Sequence, residues 1–404
     1  MNSLRRISKD GLVCGILGVF IEAFAGVEPK YVFIIGGALF LLRSGYLFWD
    51  ERKQARDKER RAIEFTALRS PDDTARIFAQ NHNLNPARVV GKVIEICSHG
   101  SLESMSLFNK LGVEPCLVHF GKPLPKDFSD SLCIVGGLKN FGEPNRKKYG
   151  IAALPLFAMD NFNYQIEFWE TDWNTWMSVR KAIESDVSLR QKLSHVLPGE
   201  NKLPQSMSLQ YIVRFANGDV LAMKRSGQLA SDPGSWSFSG EEQLGEEDFR
   251  SSIVKEPAEH LFRRAFIEEV FGNRTEDENI LNQIWTDHCL PIIDSHRVWS
   301  FFLEENVGIF QMFGVFQLKI NWDKLRSIHE LAVSAGWGSP DPEGLHYIVI
   351  ESDIAKLLTK GECPATSLYG SNELSISATN LHATSRYRLW RLFRARNRNP
   401  ASPT

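Results

Sequence analysis

The chain has 404 residues, too many for a membrane anchor plus one ordinary domain, and its 43% apolar and 24% charged residues suffice for packed cores. A formal net charge of −2 argues against bulk nucleic-acid binding. The six cysteines (Cys14, Cys97, Cys116, Cys133, Cys289 and Cys363) form no C-x-x-C pair, so no zinc site follows from them and buried free thiols are expected.

In chain order the first segment is Gly11–Trp49, two apolar runs divided by Glu28-Pro29-Lys30. Each run approaches the ~17–25 residues that cross a hydrocarbon core, and in lipid a helix satisfies its own backbone groups. The expected element is a two-helix transmembrane hairpin over 1–49. Arg5, Arg6 and Lys9 before it and the run DERKQARDKERR after it place both termini in the cytoplasm. Tyr31, Tyr46 and Trp49 suit the interface. A cleaved signal peptide would carry one apolar core and a cleavage site, which the second run contradicts. Glu22 and Arg43 inside the runs either snorkel to the interfaces or form a polar seam, with Gly11, Gly15 and Gly18, along which hairpins associate.

Residues 50–73 read as a charged helical linker. From 74 to 200 the pattern is α/β, with strands at Val89–Cys97, Glu114–Phe120 and Asp130–Val135 and a helix at Ser101–Leu111. Gly136-Gly137, with Asn140, Arg146 and Lys147 nearby, is either a phosphate loop or only a turn. The aromatic stretch from Phe168 to Trp176 reads as a packing patch. A linker at Leu197–Glu200 leads to the last module, 201–404. There Ser208–Phe215 and Asp219–Lys224 flank Asn217-Gly218, a type I′ hairpin signal. Further strands fit Arg297–Glu304, Ile309–Lys319 and His346–Ile350, with a helix at Ser352–Thr359. His260, His288, His296 and His346 show no metal-ligand spacing.

Between these lie WSFSGEEQLGEED (236–248) and EPAEHLFRRAFIEEVFG (256–272). The second is a helix with Pro257 in its first turn and Gly272 at its end. Carboxylates at i, i+3 and i+4 on such a helix share one face and gather hard cations. The duller role for Glu268 and Glu269 is a solvated face, with Arg264 pairing to Glu268 at i+4.

These residues resemble the Nudix hydrolase family, whose signature is G-x5-E-x7-R-E-U-x-E-E-x-G-U with U aliphatic. Gly240 and Glu246 keep the first spacing, and Arg264, Glu268 and Glu269 match the R…E-E part. The departures are Ala265 in place of a helical Glu, 17 residues instead of 7 between Glu246 and Arg264, and Phe271 displacing the closing Gly. The resemblance implies a Nudix-like α/β/α sandwich over about 208–390. Its ligand would lie at Gly240, Glu246 and Arg264. If the site is active, Glu268 and Glu269 are catalytic and Mg2+ is held by Glu246, Glu268 and Glu269; Glu246 or Glu259 would have to fill the gap left by Ala265.

A membrane hairpin ahead of a degenerate Nudix domain is similar to the transmembrane-Nudix effectors of bacterial cyclic-oligonucleotide anti-phage systems (CBASS). That resemblance implies a multi-pass inner-membrane protein with a cyclic oligonucleotide as ligand, homo-oligomerisation on activation, and disruption of the membrane to abort infection. The competing function is a membrane-tethered hydrolase of nucleoside diphosphate derivatives. The arginines from Arg386 to Arg398, with Trp390 and Phe393, form a basic tail for lipid, for ligand phosphates, or for simple docking.

Overall fold

Eleven of the thirteen described strands join in one sheet, and the other two form a second. The computed structural model describes residues 76, 79–80, 89–98, 145–151, 168–185, 206–226, 234–254, 257–304, 309–339, 344–370 and 372–398. The elements begin with β1 (Val89–Val90) and β2 (Val93–Ser98), then β3 (Lys147–Ile151), β4 (Phe168–Asp172) and α1 (Trp173–Ser185). Next come β5 (Ser208–Arg214), β6 (Val220–Arg225), β7 (Trp236–Phe238), β8 (Glu241–Gln243), α2 (Glu246–Arg250), α3 (Pro257–Phe271) and α4 (Glu278–Ile284). A π-helical turn (Trp285–Cys289) and a 3-10 turn (Leu290–Ile292) lead into β9 (Ile293–Glu304) and β10 (Ile309–Leu318). The last elements are α5 (Trp322–Ser334), β11 (Gly344–Val349), α6 (Glu351–Lys360), β12 (Glu362–Ser367), β13 (Glu373–Ser377) and α7 (Ser385–Arg398).

The strands run in the order β1-β2-β9-β10-β5-β6-β11-β12-β13, with β7 on β6 and β8 on β5. Among the described strand pairs, β5 and β10 run parallel and the others antiparallel. On one face Leu209, Tyr211 and Val213 meet Leu261, Phe262 and Phe266 of α3, with α4 and α5 beside them. On the other, Ile212, Phe313 and Val315 meet Ile354 and Leu357 of α6 and Tyr387 and Trp390 of α7. Each large side chain buried this way contributes about 1.5–3 kcal/mol.

The expected fold class, a membrane protein with two N-terminal spanning helices and then an α/β module and a separate Nudix-like sandwich, is corrected. Among the described residues no helix is long and apolar enough to cross a membrane; Gly11–Trp49 lies outside those residues. The region before 200 is not wholly a body of its own either. Its strands at 89–98 form the edge of the main sheet, Val93 facing Glu304 and Ile94 facing Leu303 of β9. The single strand expected at Val89–Cys97 is a tight hairpin, Val90 opposite Val93 across Gly91-Lys92. The elements expected at 101–111, 114–120 and 130–135 lie outside the described residues. So do Gly136-Gly137 and Asn140.

The loop at 215–219 differs in kind from the expected one. Gly218 has φ +94° while Asn217 keeps a negative φ, and the Phe215 N–H donates to the Asp219 carbonyl as the Gly218 N–H donates to that of Phe215. That is a type I turn closed by a glycine bulge, since a type I′ turn needs positive φ at both central residues.

The pairing that matters most for the site is the one that stops early. β5 and β6 share a single register pair, Arg214 with Val220, and then diverge. β7 continues along β6 and β8 along β5, so residues 239 and 240 sit in a fork in the middle of the sheet. Two backbone bonds hold them there: the Tyr211 N–H donates to the Gly240 carbonyl (3.1 Å) and the Ser239 N–H to that of Leu221 (2.9 Å).

Candidate functional site

α3 forms where expected. Pro257 opens it, Glu259 complements its N-terminal dipole, and Gly272 at φ +70° ends it. Its apolar stripe is pressed on the sheet, which leaves Arg264 and Glu268 along the edge that faces β8 and α2. Ala265 is fully buried in the core. The missing carboxylate of the box is therefore absent from a position that points into packed side chains.

Arg264 is 5% exposed and ringed by acids. Its guanidinium lies 2.8 Å from Glu242, 2.9 Å from Asp248, 3.4 Å from Glu247 and 3.5 Å from Glu268, and it donates to the Gln243 carbonyl at 2.7 Å. Burial alone would depress its pKa; the carboxylates, Asp248 and Glu242 foremost, outweigh burial and raise it. Asp248 also caps the start of α2, accepting from the Gly245 N–H at 2.8 Å, and meets His260 Nδ1 at 2.8 Å. Burial pushes its carboxyl up, but Arg264 and His260 bring it below the usual range. Glu268 goes the other way: burial and the neighbouring Glu242 push it up to about 8 against the pull of Arg264. The side chain of Lys148 enters the same enclosure from β3. Burial and Arg264 lower its pKa, while Glu242, Glu247 and Asp248 raise it.

Four carboxylates thus face two basic side chains, and the Glu268 carboxyl, pushed up to about 8, is largely protonated at neutral pH. On the rim, cations and acids alternate. Lys147 bridges Glu170 (3.1 Å) and Glu246 (3.5 Å), Arg250 pairs with Glu246, and Arg146 pairs with Glu276 at 2.6 Å.

Of the site residues expected from sequence, Arg264 and Glu268 come together. Gly240 reaches them only through an intermediary: its carbonyl accepts the Tyr211 N–H at 3.1 Å, and the Tyr211 hydroxyl donates to the Ala265 carbonyl at 3.1 Å. A Cβ at residue 240 would stand 2.3 Å from that hydroxyl, which is why glycine is needed there. Glu246 turns to Lys147 and Arg250 on the rim. Glu269 is buried on the core side of α3. Glu259 pairs with His296 (2.7 Å) and Arg263 (2.9 Å), so neither it nor Glu246 fills the place of the missing carboxylate. The acid beside Glu268 is Glu242. Sequence reasoning passed over Glu242, Glu247, Asp248, Lys148 and His260, although the acidic run 246–248 was in view.

The Mg2+ set expected at Glu246, Glu268 and Glu269 does not fit this arrangement, because the Arg264 guanidinium occupies the space among the carboxylates that a divalent ion needs. Among the described residues no group of three or more His, Cys, Asp or Glu side chains is gathered as a metal site. Of the three readings of the basic tail, docking accounts for Arg388 and Arg391: both are buried, Arg391 3.1 Å from Glu95 of β2. Cys289 and Cys363 are free and buried.

Beyond the C-terminal end of α3, His346 and His329 lie buried beside Tyr369, whose ring stacks on His329 at 4.1 Å. Burial, then the nearby His329, lowers His346 from 6.5 to about 4. The fold therefore favours the neutral ring. The stabilisation is complete above pH 6.5 and is lost as pH falls toward 4, amounting to about 3 kcal/mol. Urea titrations between pH 7 and 4 are expected to show that slope, and His346→Leu to flatten it; an unchanged slope refutes the assignment.

No protein-family model matches this chain, and no curated protein matches it.

Proposed function

We propose that the cage and its rim hold a nucleotide without hydrolysing it, and that the ligand is a cyclic oligonucleotide made on phage infection whose binding drives assembly of the chain. The observation that carries the first part is Arg264 seated among Glu242, Glu247, Asp248 and Glu268. A guanidinium there neutralises the acids that a hydrolase would commit to a divalent ion. The cage carboxylates accept hydrogen bonds from base amino groups, and Lys147, Arg250 and Arg146 exchange Glu170, Glu246 and Glu276 for the phosphates. The second part rests on the resemblance to the effectors of cyclic-oligonucleotide anti-phage systems. Ligand shifts a population toward the assembled state only by its greater affinity for that state.

The test is calorimetry with cyclic di-AMP, cyclic di-GMP and a cyclic trinucleotide, with size exclusion alongside. At least one binds with a Kd well below ~1 mM, the level worth only about −4 kcal/mol, and shifts the protein to a larger species. No binding by any of them removes the reading. A second reading, a pyrophosphohydrolase, is favoured by Glu268: a carboxyl near 8 holds a proton that it can give up as a general acid. It predicts release of nucleoside monophosphate from ADP-ribose that disappears in Glu268→Gln.

A further inference from the structure

The buried arginine of α7 makes a set of bonds unlike those of any surface helix. Arg388 is fully buried. One guanidinium nitrogen donates to the carbonyls of Phe238 (2.9 Å) and Gly240 (3.2 Å), with that of Ser239 at 3.4 Å. The other donates to Ser237 Oγ (2.9 Å) and Thr384 Oγ1 (3.0 Å). The fork of the sheet is thus held by a residue about 150 positions further along the chain.

What it holds is strained and shared. Ser239 has φ +59°, the one described non-glycine residue in the left-handed region, a conformation that persists only where its surroundings fix it. Its hydroxyl donates to the Leu221 carbonyl (2.7 Å) and accepts from the Val213 N–H (2.8 Å), tying together the two strands that part at the fork. Gly240 then presses on Tyr211, whose hydroxyl reaches the Ala265 carbonyl next to Arg264. Immediately beyond, β8 presents two successive acids to opposite faces. Glu241 lies opposite Gln210 and meets Arg225 (3.7 Å) and His382 (3.9 Å) on the α7 side, while Glu242 lies opposite Leu209 and meets Arg264 on the α3 side. A shift of this short strand is therefore felt on both faces at once.

We propose that Arg388 is a positioning residue that couples the C-terminal helix α7 to the carboxylate cage by fixing the turn at 238–240. Its meaning for ligand binding rests on the nucleotide-holding role; the tether itself does not. Arginine suits the task because its planar fork spans several acceptors that face different ways. A purely packing role for α7 would be carried equally by its apolar residues, such as Leu389.

Hydrogen–deuterium exchange on the full chain, with no nucleotide added, separates the two. In Arg388→Gln the amides of Tyr211 and Ser239 and the peptide spanning 262–268 exchange about tenfold faster, while those of β9 and β10 keep their rates, since exchange reports local opening. Arg388→Lys, which retains a charged donor for the carbonyls, restores part of the protection. Leu389→Ala, which loosens α7 without touching the turn, does not reproduce the pattern. Should Arg388→Gln not fold, Thr384→Val, which removes an acceptor of Arg388 outside the turn, carries the test, with about threefold acceleration confined to the same amides. Uniform acceleration across the sheet, an unchanged turn, or an identical pattern in Leu389→Ala overturns the proposal. With no nucleotide present, failure of the tether and failure of the nucleotide reading show separately; the latter appears in the calorimetry alone.

Discussion

Arg264→Met is expected to lower the stability of the protein by about 3–5 kcal/mol, the cost of leaving a buried charge partner uncompensated. The methionine stem fills much of the same volume, so the loss is electrostatic. Asp248, whose side chain is fully buried, would keep the His260 ring as a hydrogen-bond partner and the more distant Lys148 as a basic neighbour, and Glu242 and Glu247 would face it without the guanidinium between them. The pH dependence gives the sign. In the wild type Asp248 titrates below its usual range, so its contribution is present above the unfolded pKa and vanishes as pH falls through the folded one. In the variant the acids gain their protons more readily, so the difference between the two proteins shrinks in acid. Urea unfolding at pH 7 and pH 4 measures this. A difference under about 1 kcal/mol at pH 7, the scale of an exposed ion pair, refutes the cage. Removing Glu242 in the same background as Glu242→Gln recovers part of the loss, because neighbouring charges in one network are not additive.

Ala265→Glu is the second large effect, and it runs against what the box motif suggests. Restoring the acid that the Nudix signature carries at this place would seem to repair a metal site. Ala265 is instead fully buried, among the core residues gathered around Tyr211, Phe262 and Phe266. A carboxylate there meets apolar atoms, and burying an unpaired polar group costs about 2–7 kcal/mol. The substitution is expected to destabilise the protein by at least about 3 kcal/mol and to yield no Mg2+-dependent turnover. A stable, hydrolytically active variant would show that side chain 265 reaches the cage after all.

How much of this was legible in the residues depended on the range of the forces involved. α3 was legible because its signals are local: proline at the start, glycine at the end, and an apolar stripe between. The pairing of Arg264 with Glu268 follows from helical spacing alone. Glu246 turns away from Arg264 for a geometric reason. Three consecutive acids open α2, each turned by about 100° from the last, and only tertiary contact decides that Glu247 and Asp248 face Arg264 while Glu246 faces Lys147. The long interval between Glu246 and Arg264 looked like a loosening of the motif, whereas it carries the helix that brings Asp248 in. β7 and β8 have three residues each, too short for any alternation to register. Glu242 and Arg388 gain their roles from partners far along the chain, and no local pattern announces such a bond. Gly91 illustrates the same limit on a small scale: a two-residue reversal hidden inside a run of Val and Ile reads as one continuous strand.

The fork between β5 and β6 has a mechanical consequence. Most strands of the main sheet are laced to their neighbours by ladders of several residue pairs, but across this line the backbone is joined by one pair, the tip of the adjoining hairpin, and the two bonds at Ser239 and Gly240. As far as main-chain bonding goes, β5 and β6 are therefore linked chiefly through the β7–β8 segment, three pairs on either side of residues 239 and 240. Tension across this line would be carried by that one turn, beside which the cage is built.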